Sequence, residues 1–213
     1  LVQTLGGTPA FIHGGPFANI AHGCNTLIAT RTAQQYADIV LTEAGFGSDL
    51  GAEKFFDIKA RYGGLDAAGA VIVATIRSIK HNAGVAKADL SNENVAALEE
   101  GIVNLERHVE NVRKFGVTPV VALNRFTSDT SAELEFVHAW AKDKGVALAE
   151  ADVWGKGGDG ALELAQTLLD NLTEGTSHPL YDPAEGVEAS IETIAKEIYR
   201  AADATPYSET TVM

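Results

Sequence analysis

The sequence predicts an α/β fold, with a mostly parallel sheet, helices on both faces and an acidic helical carboxyl-terminal part. Three observations carry this. Short apolar runs alternate with longer stretches of helical periodicity, the pattern of βαβ units. The runs are nearly continuous in Val, Ile, Leu and Ala, as strands buried on both faces are. The chain has 213 residues, 46% hydrophobic and 21% charged, enough to bury a core and too ordinary for a disordered or fibrous protein.

Taken in order, the strands are expected at Ala10–His13, Asp38–Glu43, Ala70–Ile76, Thr118–Asn124 and Val146–Asp152. Helices are expected over Asn19–Ala37, a short Leu50–Lys59, Asn92–Phe115 and Ser131–Lys144, then Ala161–Thr173 and Ala184–Ala202. In the third of these, Val95, Leu98, Ile102, Leu105, Val109 and Val112 recur at steps of three and four and make one apolar stripe. Ser91 reads as its cap and Gly116 as its stop. Parallel strands joined by helices imply right-handed crossovers.

Charge divides the chain. Residues 151–213 hold 12 acids and 3 bases, a net of −9 out of −13 overall, so composition suggests a 1–150 sheet domain and a 151–213 acidic part. A surface this acidic repels phosphate backbones and anionic headgroups, so neither nucleic acid nor membrane is an expected partner. Cys24 stands alone and can form no internal disulfide, which fits a reducing, cytoplasmic address. Residues 1–30 carry no Asp, Glu, Lys or Arg, hold five glycines and do not begin with Met; this opening reads as the interior of a longer protein, so a fragment is expected.

In an open α/β sheet, ligands gather at the carboxyl ends of the strands. Those positions here are polar, aromatic and glycine-rich: His13-Gly14-Gly15-Pro16-Phe17-Ala18-Asn19, Gly45-Phe46-Gly47, Thr75-Ile76-Arg77, Asn124-Arg125-Phe126 and Asp152-Val153-Trp154-Gly155. Phe46 between two glycines has no neighbour in sequence to pack it. Three rings at strand ends suit a flat heteroaromatic ligand, although any one of them also reads as a loop anchor folded onto the core. Arg77 and Lys80 are the best-placed cations for a carboxylate or phosphate, or else solvated charges.

Other motifs carry less. Gly155–Gly160 satisfies G-x-G-x-x-G, but Glu174-Gly175-Thr176-Ser177-His178-Pro179 follows the next helix where a second strand should stand, so an NAD-dependent oxidoreductase is a minor alternative. No G-x-x-x-x-G-K-[ST] loop occurs. Val120–Asn124, a buried strand ending in Asn, resembles the base-recognition strand of P-loop nucleotide-binding folds. No histidine pair has helix metal-site spacing, and no metal site is expected. His13 and His22 are readable as anion ligands or as structural groups, and Cys24 as a small buried hydrophobe.

Four longer runs resemble one family. They are Phe17–Asn25, Thr42–Phe55 (TEAGFGSDLGAEKF), Val73–Gly84 (VATIRSIKHNAG), and Asn124-Arg125-Phe126 followed by Asp129-Thr130. In this order they resemble formate–tetrahydrofolate ligase, with the likeness running from about residue 8 to about residue 199. That family has P-loop NTPase-like, Rossmann-like layers and joins formate to tetrahydrofolate with ATP, through formyl phosphate, giving 10-formyltetrahydrofolate, ADP and phosphate. The resemblance implies ATP (with Mg2+) and tetrahydrofolate as substrates, stimulation by monovalent cations, no prosthetic group, and a homotetramer. It is to the middle and later part of the family, so the amino-terminal P-loop portion, with its catalytic lysine, is absent and no catalytic residue is assigned. Carried across by motif, Trp154 and Phe126 would flank the folate. Phe46, with the Gly45 and Gly47 amides, would line the formyl phosphate and folate pocket, Ala18 and Asn19 would approach the same centre, and Asn124 would face the nucleotide. The expected function is therefore the folate side of the ligase, inactive alone. The alternative is a stand-alone folate- or nucleotide-binding module.

Overall fold

The computed structural model describes residues 1–12 and 25–202. The chain opens with a two-stranded antiparallel hairpin, β1 (Val2–Gln3) and β2 (Pro9–Ala10), with Val2 opposite Ala10. Helix α1 (Leu27–Gln34) follows, its first turn capped by the Thr26 hydroxyl, which accepts from the Ala29 amide. Two π-helical stretches, Ser48–Ala52 and Phe55–Ala60, run into a final turn, α2 (Arg61–Gly63), which Gly64 ends in the left-handed region. Next come β3 (Ala70–Ala74), α3 (Ile76–Asn82), α4 (Val95–Lys114), β4 (Pro119–Asn124), α5 (Ser131–Asp143) and β5 (Ala147–Ala151). The described chain ends with α6 (Val153–Lys156), a 3-10 turn at Gly157–Ala161, α7 (Leu162–Asp170), α8 (Val187–Thr193) and a π-helical Ile194–Ile198.

Tertiary contacts group the chain into two units, one of Leu1–Asp66 with Ser177–Met213 and one of Ala67–Thr176. The acidic stretch after residue 150 is thereby shared between them.

The unit of Ala67–Thr176 is the α/β body. Its sheet is parallel, in the order β3-β4-β5, with Ile72 opposite Val121 and Val121 opposite Leu148. One face, carrying Ala74, Val121 and Leu123, shares a core with Ile79 of α3, with Leu98, Ile102, Leu105 and Val109 of α4, and with Val137 and Trp140 of α5. The alternate residues Val120, Ala122 and Ala149 are also buried, and α7 packs on β4 and β5. Each buried Val, Leu or Ile in this core contributes about 1.5–3 kcal/mol relative to exposure. The stripe predicted for α4 is the one that packs. Its cap differs from expectation, because Asn94, not Ser91, accepts from the Ala97 amide. Gly116 adopts φ 76° and ends the helix as expected.

The other unit departs further. Asp38–Glu43, expected as a strand, is irregular, with Ile39 and Leu41 exposed. A β-rich run becomes a strand only beside a partner, and here Thr42 is instead bonded to the Asn25 side chain at 2.5 Å. Of Ala10–His13 only Ala10 pairs, while Phe11 and Ile12 are exposed and His13 lies outside the described residues. The helix expected over Asn19–Ala37 is shorter: the Thr26 cap starts it at Leu27 and it ends at Gln34, while residues 19–24 lie outside the described residues. The expected Leu50–Lys59 helix is helical but widened into π turns. Its glycine is essential to the packing: a Cβ at Gly51 would overlap the carbonyl oxygens of Ala44 and Gly45. No described helix is long and apolar enough to cross a membrane.

Candidate functional site

In the α/β body the candidate residues collect where the strands end. β3 stops at Ala74, two residues earlier than expected, because Thr75 begins a capping box: its hydroxyl accepts from the Ser78 amide at 2.9 Å, and the Ser78 hydroxyl accepts from the Thr75 amide at 3.1 Å. This fixes Arg77 one residue inside α3. Its guanidinium carbon lies 5.1 Å from the centre of the Phe126 ring. Asn124 closes β4, half-buried and opposite Ala151 in register.

Phe126 is held by its backbone. Its amide donates to Asp129 Oδ2 at 2.8 Å and its carbonyl accepts from the Asp129 amide at 3.1 Å, so a tight turn presents the ring with 39% of its surface exposed. Asp129 in turn faces Arg125, whose Nε is 3.7 Å away. Burial raises the Asp129 carboxyl above the ordinary range, against the Phe126 amide and Arg125, which pull it down. Arg125 also pairs with Glu150, and His138 Nε2 reaches the same carboxylate at 2.9 Å. Desolvation pushes Glu150 up, but the bonds from His138 and Arg125 outweigh it and leave its pKa lowered.

Behind this edge lies a polar group that the sequence reading placed differently. Lys80, expected as a candidate anion ligand, is buried: its Nζ donates to Glu133 Oε1 at 2.7 Å and to the Asn92 carbonyl at 2.9 Å. Glu133 also accepts from the Asn94 and Thr130 amides. Desolvation raises its carboxyl, yet the Lys80 bond and those two amides prevail and hold it below the usual range. Glu133 was missed, although Thr130-Ser131-Ala132-Glu133 has capping-box spacing, and the box is formed.

Just beyond the neighbouring strand β5, Asp152 caps α6 by accepting from the Gly155 amide at 3.1 Å. Trp154, in that single turn, is 90% exposed. The glycine run beyond it is explained by packing: a Cβ at Gly155 would crowd the Asp152 carboxylate, and one at Gly160 would overlap the Asp152 carbonyl.

The other unit carries Gly45, Phe46 and Gly47. Phe46 adopts φ 50°, the left-handed region that a bulky residue rarely enters, and its ring is 77% exposed. Strain of this kind costs on the order of 1–3 kcal/mol and clusters at ligand-contacting loops. Below the loop, Glu53 and Asp57 are buried acids one turn apart. Burial, and then the neighbouring Asp57, raises Glu53 to about 7 against the opposing Lys54. Burial likewise raises Asp57 to about 6, although the Leu180 amide, Arg61 and His178 favour its charged form. Ala18 and Asn19, with His22 and Cys24, lie outside the described residues. Among the described residues no group of three or more His, Cys, Asp or Glu is arranged to hold a metal ion.

The chain as a whole has relatives among known proteins. The family model described as formate–tetrahydrofolate ligase matches residues 1–212. The chain belongs to that family. It is 64% identical over 203 residues to the formate–tetrahydrofolate ligase of Corynebacterium diphtheriae, covering 95% of this chain and 37% of that protein. With the Corynebacterium jeikeium ligase it shares 58% identity over 210 residues, covering 95% of this chain and 35% of the relative. With the Staphylococcus aureus ligase it shares 58% over 200 residues, covering 93% and 36%. The chain thus spans a little over a third of the length of the ligases it matches. Within this ligase-family chain, Asn124, Phe126 and Trp154 stand at the ends of adjacent strands of one sheet, with Arg77 against Phe126.

Proposed function

We propose that this chain works as the folate-holding part of an ATP-dependent formate–tetrahydrofolate ligase. The observation that supports this most directly is the pair of exposed rings, Phe126 and Trp154, at the carboxyl ends of neighbouring parallel strands in a member of that family. Exposed strand-end rings, Phe126 on the side that Arg77 leaves open, offer stacking surfaces for a pteridine and its aminobenzoyl group, each worth about 0.5–1.5 kcal/mol beyond burial.

In the proposed reaction a formate oxygen attacks the γ-phosphorus of ATP and ADP departs, leaving formyl phosphate. The folate amine then attacks the formyl carbon, the carbon–oxygen bond to phosphate breaks, and the amine proton is lost. Phe126 and Trp154 hold the folate in place, which turns the second step into a reaction between positioned groups. Phe46, with the Gly45 and Gly47 amides, lines the formyl phosphate pocket; Ala18 and Asn19 approach the same centre and Asn124 faces the nucleotide. Amide donors aimed at the developing oxyanion are a large term in acyl transfer. Mg2+ accompanies ATP, and no step is assigned to a resident metal. The substrates are small molecules in the cytoplasm, and the assembly is a homotetramer.

No G-x-x-x-x-G-K-[ST] phosphate loop occurs in these 213 residues. The isolated chain is therefore expected to bind tetrahydrofolate and to make no product. Assaying ATP-, formate- and tetrahydrofolate-dependent formylation with the chain alone tests this. Turnover by the chain would overturn the division of labour.

A further inference from the structure

Arg77 is half-buried, and among the described residues no carboxylate or carbonyl pairs with it. Lys87 and Lys142 also lack such a partner, but both are exposed and Arg77 is not. Arg125, the nearest cation in sequence to the same ring, is by contrast tied to Glu150 and Asp129. Lys80, one turn further along α3, is consumed by Glu133. Among the described residues the one interaction of its guanidinium is with the Phe126 ring, whose centre is 5.1 Å away.

We propose that Arg77 is an anion subsite that recognises a carboxylate on the flexible tail of the ligand stacked at Phe126. This rests on the folate reading above and adds the group that selects the acidic tail. A guanidinium lying over a ring engages it through one face and keeps its N–H donors on the rim, where a carboxylate can be held bidentately. The Thr75–Ser78 capping box fixes the start of α3, and the Phe126–Asp129 turn fixes the ring, so both halves of the subsite are set before ligand arrives. A lone arginine suits one carboxylate. A phosphoryl group is usually met by several cations or a nest of amides, and the neighbouring cations here are already neutralised.

The test compares tetrahydrofolate with its glutamate diamide, which keeps the rings and removes the tail charges. Binding is titrated by fluorescence on the 213-residue chain, wild type, R77Q and R77K, after thermal melts show that the variants fold. The wild-type chain is expected to bind the acid about tenfold more tightly than the diamide, the size of one charge-assisted hydrogen-bond pair. R77Q is expected to lose that preference by weakening the acid alone, and R77K to retain part of it. Equal weakening of both ligands by R77Q overturns the proposal, since Arg77 would then only brace the ring. Equal affinity of the wild-type chain for the two ligands overturns it while leaving the folate reading intact. If millimolar inorganic phosphate then binds wild type and not R77Q, the guanidinium belongs to a phosphoryl group. Failure of the wild-type chain to bind either ligand overturns both readings.

Discussion

Lys80 Nζ and Glu133 Oε1 lie 2.7 Å apart, and neither side chain is more than 1% exposed. The pair joins α3 to the start of α5, and through the Asn92 carbonyl and the Asn94 amide it also holds the turn that leads into α4. Removing one partner leaves a buried charge, which typically costs about 3–5 kcal/mol. We therefore expect Lys80→Met to lower the unfolding free energy by roughly that amount, read by urea denaturation with the fluorescence of buried Trp140. A loss below about 1 kcal/mol contradicts the account.

The double variant K80M/E133L should recover only part of this. Replacing a buried ion pair by apolar residues is often neutral. Here, however, Glu133 also accepts from the Asn94 and Thr130 amides, and leaving those donors buried costs about 1–3 kcal/mol each. The same denaturation experiment checks it, and full recovery would show that the amides find other partners.

Glu53 ties the stability of its unit to pH. Its folded pKa of about 7 lies above the ordinary 4.5, so the folded state holds its proton more tightly than the unfolded chain does. Stability on this account is full below about pH 4.5 and is lost as pH rises through about 7. Glu53→Gln removes the charge that must otherwise be buried. It should strengthen the unit by roughly 2–3 kcal/mol at pH 8 and change little at pH 4. Amide hydrogen exchange across Phe55–Ala60 at the two pH values measures this, and an equal effect at both would count against it.

Phe46 sets backbone comfort against ring presentation. Since its φ of 50° suits glycine, Phe46→Gly should relieve roughly 1 kcal/mol of strain. In the full-length ligase the same change should lower formylation, because the exposed ring is lost. Paired thermal melts and turnover assays are the check; unchanged turnover would return Phe46 to an ordinary loop residue.

The α/β body was legible because its signals are local and redundant. The α4 stripe, the apolar run of β4 and the Gly116 stop each specify one element, and all agree. The segment 38–43 was not legible in the same way, because strand identity depends on a neighbour that the run itself does not name. The π-helical widening at Ser48–Ala60 was hidden too, since the apolar spacing of one turn fits α and π geometry alike. At the site, the glycines around Phe46 pointed correctly to an exposed ring. Lys80 misled, because a cation after a strand looks the same in sequence whether it meets a ligand or a buried glutamate 53 positions away. Only the fold distinguishes it from Arg77.

The most direct test of the central proposal is tetrahydrofolate binding to this chain with and without the Trp154 ring. Trp154 is 90% exposed, so Trp154→Ala should leave folding untouched. The account predicts that the substitution weakens binding by roughly 1–3 kcal/mol, the cost of losing one stacked ring, measured by calorimetric titration. Unchanged affinity, or no binding by the wild-type chain, would contradict it.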